Sequence, residues 1–64
     1  MKKYEYTTVR VFPKGLVSKV DTDELEAMLN EMGQEGWQLA GTPTDRYSSG
    51  TIHYIICVFM REIV

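Results

Sequence analysis

The sequence contains few of the residues that small domains use for cross-linking or for catalysis. Among its 64 residues are one cysteine, Cys57, and one histidine, His53. A single cysteine excludes an internal disulfide, and one cysteine with one histidine does not supply the ligands of a zinc site. We therefore predict no metal and no cofactor. A chain this short buries little apolar surface, so self-association is the remaining source of stability.

The sequence also lacks an excess of positive charge and long apolar runs. Seven Lys and Arg against nine Asp and Glu give a net charge of −2, and the basic residues are scattered. Nucleic-acid binding needs a basic stripe, so we do not expect nucleic acid as a partner. No stretch approaches the length of a membrane span, and the N-terminus lacks the apolar core of a signal peptide. Together with the unpaired cysteine, this predicts a cytoplasmic protein without membrane contact.

One amphipathic helix is well marked within residues 21–39, DTDELEAMLNEMGQEGWQL. Its apolar residues have the spacing of one buried helix face: Leu25, Met28, Leu29 and Met32. Asp21 is the predicted N-cap, with Glu24 placed to complete a capping box. Gly33 and Gly36 both qualify as the residue that ends the helix. We favour Gly36, because Trp37 then packs back on the last turn.

Three strands are predicted around this helix. Lys2 to Phe12 is rich in Tyr, Thr and Val, and a turn at Pro13 to Gly15 ends it. Leu16 and Val17 are expected to fold over an edge of the core. The second strand runs from Trp37 to about Thr44, with residues 45–47 either extending it or joining the turn. Thr51 to about Arg61 is apolar on both faces, which is typical of a central strand.

These elements predict a single α+β domain covering residues 1–64. The order is β-α-β-β, with a three-stranded antiparallel sheet in the order 1-3-2 and one helix packed on one face. One helix covers only one face, so the other face is expected to be an apolar interaction surface. We predict a homodimer or higher oligomer that packs sheet on sheet. The predicted interface residues are Tyr4, Tyr6, Arg10, His53, Ile55, Cys57 and Phe59.

The length of the turn before the last strand is ambiguous. The alternation of residues along each strand therefore does not decide which face of the second strand lies on the same side of the sheet as which face of the third.

Two other functions are alternatives to this self-associating, non-enzymatic module. A small-molecule or single-stranded nucleic-acid binder could use the face of Tyr4, Tyr6 and Arg10, because sheets with aromatic residues can stack bases. No particular small molecule is indicated. For an enzyme, His53 and Cys57 are the only nucleophile and base. They are roughly 13 Å apart along one strand, whereas such a pair needs about 3 Å, so they cannot be partners within one subunit. An enzyme would need them to meet across a dimer axis, and we predict no catalytic residues.

The chain resembles the domain of unknown function family four-one-seven-seven, a family of small bacterial proteins. The resemblance is carried by a KKYEY-like first strand, Gly-Leu in the following loop, and the helix start DTDELE. It continues through the Gly-x-Glu-Gly-Trp-Gln-Leu signature of Gly33 to Leu39 and the final Arg61-Glu62. The resemblance supports the predicted fold. It implies no activity, substrate or site residues.

Overall fold

The computed structural model describes residues 1–14 and 19–64. The expected packing of Leu16 and Val17 falls outside these residues. The described residues form one helix and four strands: β1 Tyr4–Val11, α1 Thr22–Gln34, β2 Gln38–Gly41, β3 Thr44–Arg46 and β4 Ile52–Glu62. Among the described ranges, no helix has both the length and the apolar character that a membrane crossing requires.

The sheet is antiparallel throughout and is built around β4. Strand β1 pairs with one side of β4, and β2 and β3 pair with the other side. The predicted α+β class, with one helix and an antiparallel sheet, is confirmed. The predicted count of three strands is wrong, because the expected second strand is divided into β2 and β3.

The division lies at Thr42 and Pro43. Proline has no N–H group to donate to a sheet ladder, and the register against β4 already shifts between Leu39 and Gly41. The Pro43 carbonyl still accepts a 2.8 Å hydrogen bond from the Ile56 amide. Both short strands therefore stay on the same side of β4.

The helix begins and ends through local hydrogen bonds. The Asp21 carboxylate accepts from the amides of Asp23 and Glu24, at 3.0 and 3.2 Å, which confirms it as the N-cap. The Glu24 carboxylate, expected to complete a capping box, instead pairs with the Lys14 ammonium group.

At the other end of the helix, Gly36 has a φ of +87°. The Trp37 amide donates to Met32 and the Gly36 amide to Gly33, both at 3.0 Å. These two bonds form a Schellman motif and confirm that the helix continues through Gly33 to a cap at Gly36.

The helix covers one face of the sheet, and the core between them is small. Phe59 and Cys57, each 1 % exposed, are the buried hydrophobic residues of the described chain. Leu25 and Leu29 of the helix line a cavity with Ile55 and Cys57, which places the helix over this face.

The molecule is flat rather than round. It measures 45 × 25 × 10 Å, with a radius of gyration of 13.7 Å, whereas a compact domain of this length has about 11 Å. The flat shape exposes much of the sheet to solvent.

The open face of the sheet as a candidate interface

The face of the sheet opposite the helix is defined by the pairing of β1 with β4. Directly opposite residues of an antiparallel pair point to the same face, and successive residues alternate between faces. Because Cys57 and Phe59 lie under the helix, the residues between them lie on the other side. We call that side the open face, and its residues are Tyr4, Tyr6, Thr8, Arg10, Ile56, Val58 and Met60.

The open face is apolar in its middle and is not covered by any described helix or strand. Ile56, Val58 and Met60 belong to the central strand, yet each remains half-buried. Beside them, Tyr4 is 43 % exposed and Tyr6 is 63 % exposed. Contiguous apolar surfaces of this kind mark interaction sites in proteins.

The seven predicted interface residues do not share one face. Tyr4, Tyr6 and Arg10 lie on the open face, as expected. The prediction is wrong in grouping them with three residues of β4 that pair with Thr7, Val9 and Val11 on the helix side: Ile55, Cys57 and Phe59.

The physical reason for this difference is the register of β1 against β4. Even-numbered residues of β1 pair with even-numbered residues of β4, for example Tyr6 with Met60. Cys57 and Phe59 are buried within the chain and do not present a surface to a partner. The interface role stays a prediction for Tyr4, Tyr6 and Arg10.

His53, the seventh predicted residue, belongs to a group of aromatic rings where β4 begins. The group, which we call the hairpin-end cluster, comprises Phe12, Tyr47, His53 and Tyr54. Tyr47 stacks on His53 with ring centroids 4.5 Å apart. His53 Nδ1 lies 3.1 Å from Asp45 Oδ2, within hydrogen-bond distance.

Sequence reasoning missed the hairpin-end cluster because its members come from three separate segments. Phe12 follows β1, Tyr47 lies in the turn after β3, and Tyr54 lies in β4. No spacing in the sequence connects them. Only the register, which brings the Phe12 and Tyr54 rings to 5.5 Å, places them together.

Arg10 joins the cluster to the open face. Its guanidinium carbon lies 5.1 Å from the centroid of the Tyr54 ring, a geometry typical of a cation–π contact. Arginine and tyrosine are both enriched at protein interfaces, where they combine apolar area with hydrogen-bonding groups. This end of the open face can therefore contact both aromatic and anionic groups.

Trp37 and Arg61 contact each other on the helix side and have a structural role. The Arg61 guanidinium carbon lies 4.1 Å from the Trp37 ring centroid. Arg61 Nη1 donates to the Glu35 carbonyl at 2.8 Å, and its Nε donates to the Glu5 carboxylate. The indole is thus occupied by a residue of its own chain.

Catalytic chemistry is not supported around Cys57. Its thiol lies in the wall of an apolar cavity of about 240 Å³ between helix and sheet. Burial raises the pKa of the Cys57 thiol, so it stays protonated and is a poor nucleophile. Within residues 1–14 and 19–64, no three or more His, Cys, Asp or Glu residues are placed to hold a metal ion together.

One family model matches the chain, and it covers residues 4–62. Its description is "Domain of unknown function (DUF4177)", which names no activity or ligand. The comparisons with curated proteins and with solved structures found no significant match. The matched region begins with β1 and ends with β4, so it includes each helix and strand that the structure describes. The chain therefore belongs to the DUF4177 family.

Proposed function

We propose that this protein is a non-enzymatic, self-associating interaction module that forms a homodimer or a higher oligomer through the open face. The observation that carries the proposal is the exposure of the central strand. Ile56, Val58 and Met60 lie in the middle of the sheet and stay partly exposed, whereas central strands of stable sheets are normally covered on both faces or solvated by polar residues.

The accessible surface of the chain supports this proposal quantitatively. The chain exposes 5041 Å², whereas a compact monomer of the same mass exposes about 4,200 Å². The difference is about 800 Å², which is the area that each partner buries in a protein interface of standard size. A second copy on the open face would therefore remove about the amount of surface by which this flat monomer exceeds a compact one.

The charges of the open face favour a second copy as the partner. Arg10 lies at one end of this face and Glu62, opposite Tyr4, at the other end, and both are exposed. In a two-fold packing with antiparallel strands, the Arg10 end of one copy meets the Glu62 end of the other. Such self-complementarity is what a symmetric dimer interface requires.

A non-enzymatic role is supported by the state of the candidate catalytic groups. Cys57 is buried and its pKa is raised, and His53 is engaged with Asp45 and Tyr47. A lone buried thiol suits a reducing compartment. For this reason we propose a cytoplasmic protein.

The test is to measure the mass in solution by light scattering between about 1 and 100 μM, the range of ordinary protein association. We expect a dimer or larger assembly. Val58→Asp places a charge in the centre of the open face and is expected to weaken association by at least about tenfold. Leu39→Asp is the matched control, since Leu39 is 47 % exposed and pairs with Phe59 on the helix side.

Circular dichroism of both variants separates loss of association from loss of folding. A folded Val58→Asp monomer beside an associated Leu39→Asp variant supports the open face as the interface. A folded, wild-type monomer over the whole concentration range refutes the proposal. Val58→Thr, which keeps the shape of the side chain and the β propensity, replaces Val58→Asp if the aspartate variant unfolds.

A second candidate function is a binder of planar ligands, either a small molecule or single-stranded nucleic acid, on the side of Tyr4, Tyr6 and Arg10. The observation that favours it is the hairpin-end cluster, where Phe12 and Tyr47 are 52 % and 53 % exposed and the Arg10 guanidinium lies over the Tyr54 ring. Bases stack on such rings without sequence preference. The net charge of −2 argues for the self-associating module as the first choice.

Titrating adenosine monophosphate and a short oligothymidylate while following backbone amide resonances tests this binder. Shifts confined to Tyr4, Tyr6, Arg10 and the cluster would support it. Unchanged resonances at millimolar concentrations of both probes would exclude nucleotide and single-stranded nucleic-acid binding at this site.

A further inference from the structure

The two edges of the sheet differ in their capacity to pair with another strand. On the β2–β3 side, the edge is interrupted at Thr42 and Pro43, and its register shifts twice. On the other side, β1 pairs with β4 without a shift over eight residues. Interruptions and bulges protect sheet edges from pairing, whereas a continuous edge presents a row of free backbone groups.

The hydrogen bonds of β1 show which backbone groups face its free edge. The Ile63 amide donates to the Lys3 carbonyl at 2.8 Å, so Lys3 and Ile63 form a hydrogen-bonded pair. Hydrogen-bonded and non-hydrogen-bonded pairs alternate in an antiparallel ladder. It follows that Thr7 and Val9 bond to β4, whereas the amides and carbonyls of the even-numbered residues point outward: Tyr4, Tyr6, Thr8 and Arg10.

We propose that β1 pairs with β1 of a second copy, antiparallel, around a two-fold axis at Thr8. This register brings Tyr6 opposite Arg10 of the other copy and Tyr4 opposite Phe12. Aromatic pairs and arginine–aromatic pairs are favourable across strands. The strand is therefore complementary to itself, which commits the edge to a second copy rather than to an unrelated peptide.

The geometry of this pairing extends the proposed function. A two-fold axis that relates two antiparallel edge strands is perpendicular to the sheet. Both helices then lie on the same side, and the two open faces join into one larger apolar surface on the other side. The inference shares with the proposed function the requirement for a second copy, but the edge contact and the face contact are physically separate.

Disulfide trapping is the first test of the edge contact. In the proposed register, Thr8 faces its own copy in a hydrogen-bonded pair, where Cα atoms are about 5.5 Å apart, a distance that a disulfide spans. Thr8→Cys is therefore expected to cross-link into a dimer under mild oxidation. Thr7→Cys is the matched control, because Thr7 points to the helix side. The wild-type chain, with Cys57 buried, measures the background, and equal cross-linking of both variants would overturn the register.

Amide hydrogen exchange at increasing protein concentration is the decisive test. We expect the Tyr6, Thr8 and Arg10 amides to become protected, on the order of tenfold or more, as association proceeds. The Thr7 and Val9 amides are internal controls, since their bonds to β4 protect them at every concentration. If light scattering shows an oligomer while the three edge amides exchange freely, the edge inference fails and the face proposal stands. A monomer at all concentrations overturns both.

Discussion

The guanidinium carbon of Arg61 lies 4.1 Å above the centroid of the Trp37 ring. Through its hydrogen bonds to the Glu5 carboxylate and the Glu35 carbonyl, Arg61 also joins β4 to β1 and to the end of the helix. The Gly-Trp signature and the terminal Arg-Glu, which are distant in the sequence, therefore form one structural contact. In a molecule with so small a core, this contact fixes the position of the helix end on the sheet.

Replacing Arg61 by lysine should destabilise the fold. Lysine keeps the charge but loses the planar fork that contacts Glu5, Glu35 and Trp37 together. Because Arg61 is partly exposed, we expect a loss of about 1–2 kcal/mol in the free energy of unfolding, measured by urea denaturation. Arg46→Lys, which removes a single exposed contact to Gly50, is the control and should change stability by less than about 0.5 kcal/mol.

Gly33 in the last turn of the helix and Gly36 in the cap after it should respond to alanine with opposite signs. At Gly33 an added Cβ meets nothing within 4 Å, so alanine should stabilise the helix by about 1 kcal/mol. Gly36 has a φ of +87°, and alanine there should cost about 1 kcal/mol or more. Thermal unfolding of the two variants checks the signs, and equal shifts would contradict the Schellman cap.

The Cys57 thiol should be unreactive in the folded protein. Its burial and raised pKa keep the thiolate fraction small at pH 8, so a disulfide reagent should label it only after denaturant is added. Above the ordinary pKa of a thiol, the unfolded chain loses this proton more readily than the folded chain. Stability should therefore fall as the pH rises beyond about 9. Rapid labelling of the native protein at pH 8 would disagree with a buried thiol.

The two phenylalanines should differ sharply in their contribution to stability. Phe59 is 1 % exposed and Phe12 is 52 % exposed. Truncating a buried phenylalanine to alanine costs about 3–5 kcal/mol, which is comparable to the total stability of a small domain. Phe59→Ala should therefore be largely unfolded by circular dichroism, whereas Phe12→Ala should stay folded. A folded Phe59→Ala variant would show that the helix face is not the core.

The helix and its limits could be predicted from the sequence because their causes are local. The Asp21 cap and the Gly36 turn each act within a few neighbouring residues. The central position of the last strand was also predictable, since its apolar residues on both faces suit no other place in an antiparallel sheet. Because successive residues of a strand point to opposite faces, the sequence also predicted that Tyr4 and Tyr6 share one face of β1.

Only the tertiary structure decided which face of β1 lies on the same side of the sheet as which face of β4. Sequence alternation divides each strand into two faces, but it does not state which faces belong together. The register, with Tyr6 opposite Met60, buried Cys57 and Phe59 and assembled the hairpin-end cluster. Because a shift of one residue exchanges every side chain between the two faces, the composition of the open face depends on packing across the whole sheet, whereas the helix depends on residues close to it in the chain.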